Sequence, residues 1–217
     1  RDVAPSRGLG DVYKRQTNDN NIENKIIETA QQLFVKNGFT DTNMSDIAAA
    51  VGINRPTLHY YFRTKDKMFQ AVFGNIILSL APEIQGIMVQ DKPISERIGR
   101  VVDAYFKIFT DNPSLPIFIV REIERDMPHL ISTARALELE RYFHEIGVKL
   151  QKEMDSGKLK QVPIHFVFYT FYGLLVFPFL AKKLSTSVFL NGDEDFHEML
   201  QTWKSHIIGQ MEHLLCP

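Results

Sequence analysis

Residues 44–62 read MSDIAAAVGINRPTLHYYF, and this stretch decides the fold. Met44, Ile47, Ala48 and Val51 recur at the three-to-four-residue spacing of one helical face, and Gly52 then stops that helix in the way a left-handed C-terminal residue does. Asn54 offers a side-chain oxygen to cap a second helix, and Pro56 falls in its first turn, where a missing N–H costs little. The run Ala48, Ala49, Ala50 is expected to let the two backbones approach. Two short helices joined by a glycine turn make a helix-turn-helix, which places its second helix in the DNA major groove.

The pattern continues on both sides. Upstream, residues 21–36 repeat apolar positions at Ile22, Ile26, Ile27, Ala30, Leu33 and Phe34, closed by Gly38, and Phe39 turns back onto the core. Thr42 is expected to cap the helix that follows. Downstream, Thr64 caps a fourth helix that runs through Met68, Phe69, Val72 and Phe73 until Pro82 interrupts it. The rest reads as helices over residues 83–89, 94–110, 114–126, 128–156, 163–184 and 193–215, separated by Pro and Gly signals that include Asn191-Gly192. No alternating run is long enough for a sheet, so the expected class is all-α: a three-helix head holding the helix-turn-helix at residues 17–75 and a larger helical body at residues 76–217.

Composition limits the alternatives. The 217 residues carry 25 Lys+Arg against 26 Asp+Glu, so bulk charge points to no polyanionic partner and any DNA affinity must come from local placement. The head itself balances, but Arg55, Arg63, Lys65 and Lys67 crowd one end of it. One cysteine, Cys216, excludes a disulfide framework, a cysteine zinc site and a redox pair, and fits a reducing cytoplasm. There is no glycine-rich phosphate loop, no GxSxG and no HExxH, so no catalytic residue, metal or cofactor is expected. Residues 1–16 lack helical periodicity, and DVYKRQ at residues 11–16 matches a translated transposon end used in sequencing-library preparation. They are expected to be non-native or disordered; the alternative is a basic arm carrying Arg1, Arg7, Lys14 and Arg15.

Taken together, IA at 47–48, VGIN at 51–54, PTLHYYF at 56–62 and TKDKMF at 64–69 resemble the DNA-binding domain of TetR-like transcriptional regulators. The resemblance implies phosphate contacts from Thr42 and Lys65, with Tyr61 donating to a further phosphate. It implies an exposed reading face at Arg55, Pro56, Thr57, His59 and Tyr60, with Arg55 the leading candidate for a guanine. Leu58 and Phe62 anchor that helix in the core. Two positions depart from many relatives: His59 stands where tyrosine is common, and Ser45, at the start of the first helix of the pair, where a basic residue is common.

For the body, the resemblance implies a homodimer formed by the last helices and an effector pocket between the others. Residues 163–184, PIHFVFYTFYGLLVFPFLAKKL, are the most apolar stretch, yet His165, Thr170, Gly173 and Pro178 interrupt it and no second membrane span is read beside it. A helix apolar all round is buried on both sides, so Phe168, Phe171, Gly173, Leu175 and Phe179 are expected at the dimer interface. Pocket candidates are Phe106, Phe109, Phe118 and Phe143, with His144 as a polar handle. From the apolar helix, Phe166, Tyr169 and Tyr172 join them, and so many rings favour an apolar or aromatic effector. The expected function is a one-component regulator, a repressor released by that effector from a pseudo-palindromic double-stranded operator. A helical small-molecule binding module with a vestigial head is the alternative.

Overall fold

The computed structural model describes residues 7–190 and 193–217, with side chains from residue 21 onward apart from residues 191–194. Among the described residues every regular element is a helix: α1 (Arg7–Asp41), α2 (Met44–Val51), α3 (Arg55–Tyr61), α4 (Lys65–Leu78), α5 (Ala81–Met88), α6 (Ile94–Asp111), α7 (Leu115–Arg125), α8 (Met127–Ala136), α9 (Glu140–Asp155), α10 (Ile164–Leu180), α11 (Lys182–Val188) and α12 (Asp193–Leu215). The chain divides after Asn75 into two compact units, the second being Ile76–Pro217.

The head is built on side chains that exclude water completely. Ile26, Ala30 and Phe34 of α1, Ile47 of α2, Leu58 of α3 and Met68, Phe69 and Val72 of α4 have no exposed surface. Phe34, Phe39 and Phe69 add edge and stacked ring contacts at centroid separations of 5.1–5.9 Å. Helix α1 starts at Arg7, well before the expected residue 21. Residues 1–6 lie outside the described residues, as do the side chains of Arg7, Lys14 and Arg15, so the basic-arm reading falls outside them. At the other end Gly38 takes φ +85°, ψ 167°, a conformation that turns the chain and brings Phe39 onto the core.

In the body, α6 and α12 lie side by side, α5 packs on α6 and α9, and α10 packs on α12, α7 and α9. Helices α6 and α12 are close at Gly99, where an added Cβ would meet Ile208 Cδ1 at 3.3 Å, and Lys204 pairs with Asp103 at 2.6 Å. Arg97 of α6, 2% exposed, donates to Glu153 of α9 at 2.7 Å and to the Met88 carbonyl at 2.7 Å.

Two long helices expected from the pattern are broken. The 128–156 stretch splits at Leu137–Leu139, where Glu138 adopts φ +53°. There the Leu139 amide bonds the Ala134 carbonyl at 3.0 Å and its side chain is buried, which offsets the backbone strain. The 163–184 stretch ends at Leu180, and α11 departs from α10 at 61°. By length and composition, this bent pair and the run Lys65–Met88 are apolar enough to cross a membrane. In the fold both contribute buried core residues. The Asn191-Gly192 turn lies outside the described residues.

Candidate nucleic-acid interface and effector cavity

The turn between α2 and α3 is fixed by three local devices. Asn43 caps α2, accepting from the amides of Ser45 and Asp46 at 2.9 Å each, while the Asp46 carboxylate accepts from the Asn43 amide at 3.3 Å, a reciprocal capping box. Gly52 at φ +83° ends α2 in the left-handed region, and the Lys25 ammonium donates to the Val51 carbonyl at 3.1 Å, putting positive charge at the helix C-terminus. Asn54 caps α3 through the Thr57 amide at 2.8 Å. Of the three alanines only Ala48 is buried; Ala49 and Ala50 face solvent, because successive residues of a helix with 3.6 residues per turn point in different directions.

With Leu58 fully buried and Phe62 6% exposed, the opposite side of α3 must face outward. Arg55, Pro56 and Tyr60 are exposed there, Tyr60 at 77%, and Thr57, His59 and Tyr61 are half-buried. Tyr61 packs edge-on against Tyr60 at 5.2 Å. Arg55 Nε donates to His59 Nε2 at 3.3 Å. His59 Nδ1 lies 3.2 Å from the Arg63 carbonyl, an acceptor only, so Nδ1 carries the proton and Nε2 is the acceptor that steadies Arg55. The terminal guanidinium nitrogens, which form a guanine-reading fork, have no partner among the described residues.

Three expectations for the phosphate contacts change or sharpen. Thr42 is not a surface hydroxyl: it is fully buried and donates to the Gly38 carbonyl at 2.9 Å, at the end of α1 where the last carbonyls have no partner within the helix. The cap is one residue later, at Asn43. Ser45 is exposed on the first turn of α2. The Lys65 ammonium sits 4.4 Å above the Phe39 ring and donates to the Thr40 carbonyl at 3.0 Å, so its charge is held against the head.

In the body, a cavity of about 540 Å³ opens between α6, α7, α9 and α10, with Ile77 at the end of α4 in its wall. Of the pocket candidates, Phe109, Phe143 and Tyr172 line it. Phe106 and Phe118 are core, 7% and 1% exposed, since the 3.6-residue period turns them inward on their helices. His144 is exposed and stands away from the cavity. Phe166 and Tyr169 lie on the outer face of α10, 52% and 72% exposed.

The interface candidates are corrected in the opposite sense. Phe171, Leu175 and Phe179 are 9%, 0% and 5% exposed and pack inside their own subunit. Phe168 is half-buried and lies near-parallel to Tyr172, ring centroids 6.3 Å apart. Only Gly173 faces outward, in a stripe with Phe166, Tyr169, Phe177 and Leu180. Mean apolarity runs round the whole of α10, so the sequence gives two equivalent faces and no sign of which one the body covers. Tyr105, absent from the expected pocket, lines the cavity with its hydroxyl 2.8 Å from that of Tyr172. Its i,i+4 spacing from Phe109 was the available signal.

A helix-turn-helix head joined to an all-helical body with an apolar cavity open at its surface is the arrangement of a transcriptional regulator. Residues 26–72 match the signature of bacterial regulatory proteins of the tetR family, so the helix-turn-helix head is TetR-like. It is 35% identical over 54 residues to the regulator QacR of Staphylococcus aureus, 25% of this chain and 29% of that protein. It is 24% identical over 139 residues to IcaR, the negative regulator of the biofilm operon in Staphylococcus epidermidis, 61% of this chain and 75% of that one. The fold is similar to that of the Bacillus subtilis regulator FadR in complex with stearoyl-CoA, with a TM-score of 0.66 at 16% identity over 85% of this chain and 96% of that one.

Proposed function

We propose that this chain represses transcription as a homodimer whose two α3 helices read a pseudo-palindromic operator, and that a small apolar or aromatic effector in the body cavity releases it. The observation that carries the reading is the outward face of α3, where Arg55 is steadied by His59 and Tyr60 is exposed while Leu58 and Phe62 hold the helix down. Arg55 reads a base edge; Ser45, Thr57, Tyr61 and Lys65 set register on phosphates. The reaction partners are DNA and effector, with no catalysis, and the site of action is the cytoplasm rather than a membrane.

The outer stripe of α10 supports the dimer. Phe166, Tyr169, Phe177 and Leu180 expose apolar surface in one row, a feature that marks an interaction surface, and a Cβ added at Gly173 would meet nothing within its own subunit. Gly173, Phe177 and Leu180 also line the cavity. A partner seated on the stripe therefore covers part of the cavity mouth, and an effector that prefers one dimer geometry shifts the spacing of the heads away from successive major grooves, ~34 Å apart.

Gel shift with DNA flanking the gene tests the reading: a salt-sensitive shifted band that the effector abolishes supports it. Effector binding without any shifted band favours the alternative, a small-molecule binding module with a vestigial head.

A further inference from the structure

The cavity wall is apolar except at one point. Aliphatic and aromatic side chains from Ile77, Phe109, Ile119, Val120 and Val176 surround it, and no Lys, Arg, His, Asp or Glu reaches it. The exception is the Tyr105–Tyr172 pair. Both phenols are pushed up from the ordinary tyrosine range by burial, that of Tyr105 strongly, so both are neutral in the cell.

Two hydroxyls bring two protons. One lies between the oxygens, 2.8 Å apart; the other has no acceptor among the described residues. An unmade donor in an apolar wall is more costly than an unmade acceptor, since a hydroxyl oxygen shares several lone-pair positions and its proton has one. What completes the pair is an acceptor supplied from the cavity. A charged head would lose its hydration there with no counter-charge to meet it. We infer that the effector is a neutral, largely apolar molecule with a single carbonyl-type acceptor, bound with that oxygen on the Tyr105–Tyr172 hydroxyl pair. The inference rests on the cavity being the effector site, and it excludes free carboxylates and phosphorylated heads from this position.

Three probes of equal ring size test it by calorimetric titration of the full chain: 2-acetonaphthone, 2-ethylnaphthalene and 2-naphthoate. The ketone is expected to bind about 3- to 10-fold more tightly than the hydrocarbon, the worth of one hydrogen bond, and naphthoate at least ~10-fold more weakly than the ketone. Tyr105→Phe alone keeps the preference, because the Tyr172 hydroxyl then donates directly. The double variant Tyr105→Phe/Tyr172→Phe, whose melting is followed alongside, loses it while binding ethylnaphthalene as before. Equal affinity of ketone and hydrocarbon for the unsubstituted protein, or tightest binding of naphthoate, overturns the inference while leaving the cavity as the effector site. Binding of the probes that Val176→Trp does not weaken, or no binding of any probe, overturns the cavity reading itself and the inference with it.

Discussion

The indole Nε1 of Trp203 donates to the carbonyl of Leu174 at 2.9 Å. That carbonyl is the one Pro178 cannot serve: within α10 the amide four residues on should donate to it, and proline has none. A residue of α12 thus repairs the ladder of α10, and the repair explains how a buried proline stands inside that helix. Trp203→Phe should destabilise the body by about 1–3 kcal/mol. In a Pro178→Ala background, where the amide is restored, the same change should cost less. Urea unfolding of the four proteins measures the coupling, and equal costs in both backgrounds would show the bond to be incidental.

The buried Arg97–Glu153 pair carries a larger penalty when broken. Both side chains are almost entirely buried, and Lys149 reaches the second carboxylate oxygen at 3.3 Å. Glu153→Ala leaves a guanidinium without its counter-charge and should cost about 3–5 kcal/mol, whereas replacing Lys158 of the exposed Lys158–Asp91 pair by Ala should cost far less, because solvent screens that pair. Comparable losses at the two sites in thermal unfolding would refute the ranking.

Much of the head is legible in the sequence because its punctuation has single geometric purposes: Gly52 at positive φ, Asn54 on the Thr57 amide, Thr64 on the Lys67 amide at 3.1 Å. Thr42 is the exception, since a hydroxyl next to a helix start reads equally as a cap and as a buried donor to the preceding turn. The body is less legible. Helix α10 is apolar on every side, so inner Phe171 and outer Tyr169 look alike in sequence, and only the positions of α7 and α12 tell them apart. The break at Glu138 has no glycine or proline to announce it; it depends on burying Leu139.

The proposed dimer makes a sharp distinction between two helix faces. Tyr169→Glu and Gly173→Glu place charge on the outer stripe and should yield folded monomers in sedimentation, with helicity preserved, because neither position is needed inside the subunit. Leu175→Glu, at a fully buried position, should unfold the body instead. A dimer that persists in both stripe variants places the interface elsewhere.

The two cavity phenols predict the alkaline limit of stability. In the folded chain both hold their protons above the unfolded tyrosine value of 10.0, so they contribute fully below pH ~10. Above it, the unfolded chain releases protons that the folded chain retains, and stability falls as pH rises towards the folded values. The urea midpoint should drop between about pH 9 and 11, and the double Tyr→Phe variant should show a shallower drop. Identical slopes would mean the pair opens to water before it titrates.

The central claim is that α3 reads DNA through Arg55, and fluorescence anisotropy over a panel of single-base operator variants tests it most directly. Arg55→Ala should lose about 1–3 kcal/mol on the operator and lose discrimination at one base pair in each half-site, while Lys65→Ala weakens every sequence alike and lowers the salt slope by about one. His59→Leu, which leaves the guanidinium unsteadied, should fall between unsubstituted protein and Arg55→Ala at that same base pair. An Arg55→Ala protein that binds more weakly with its base preferences intact would contradict the account.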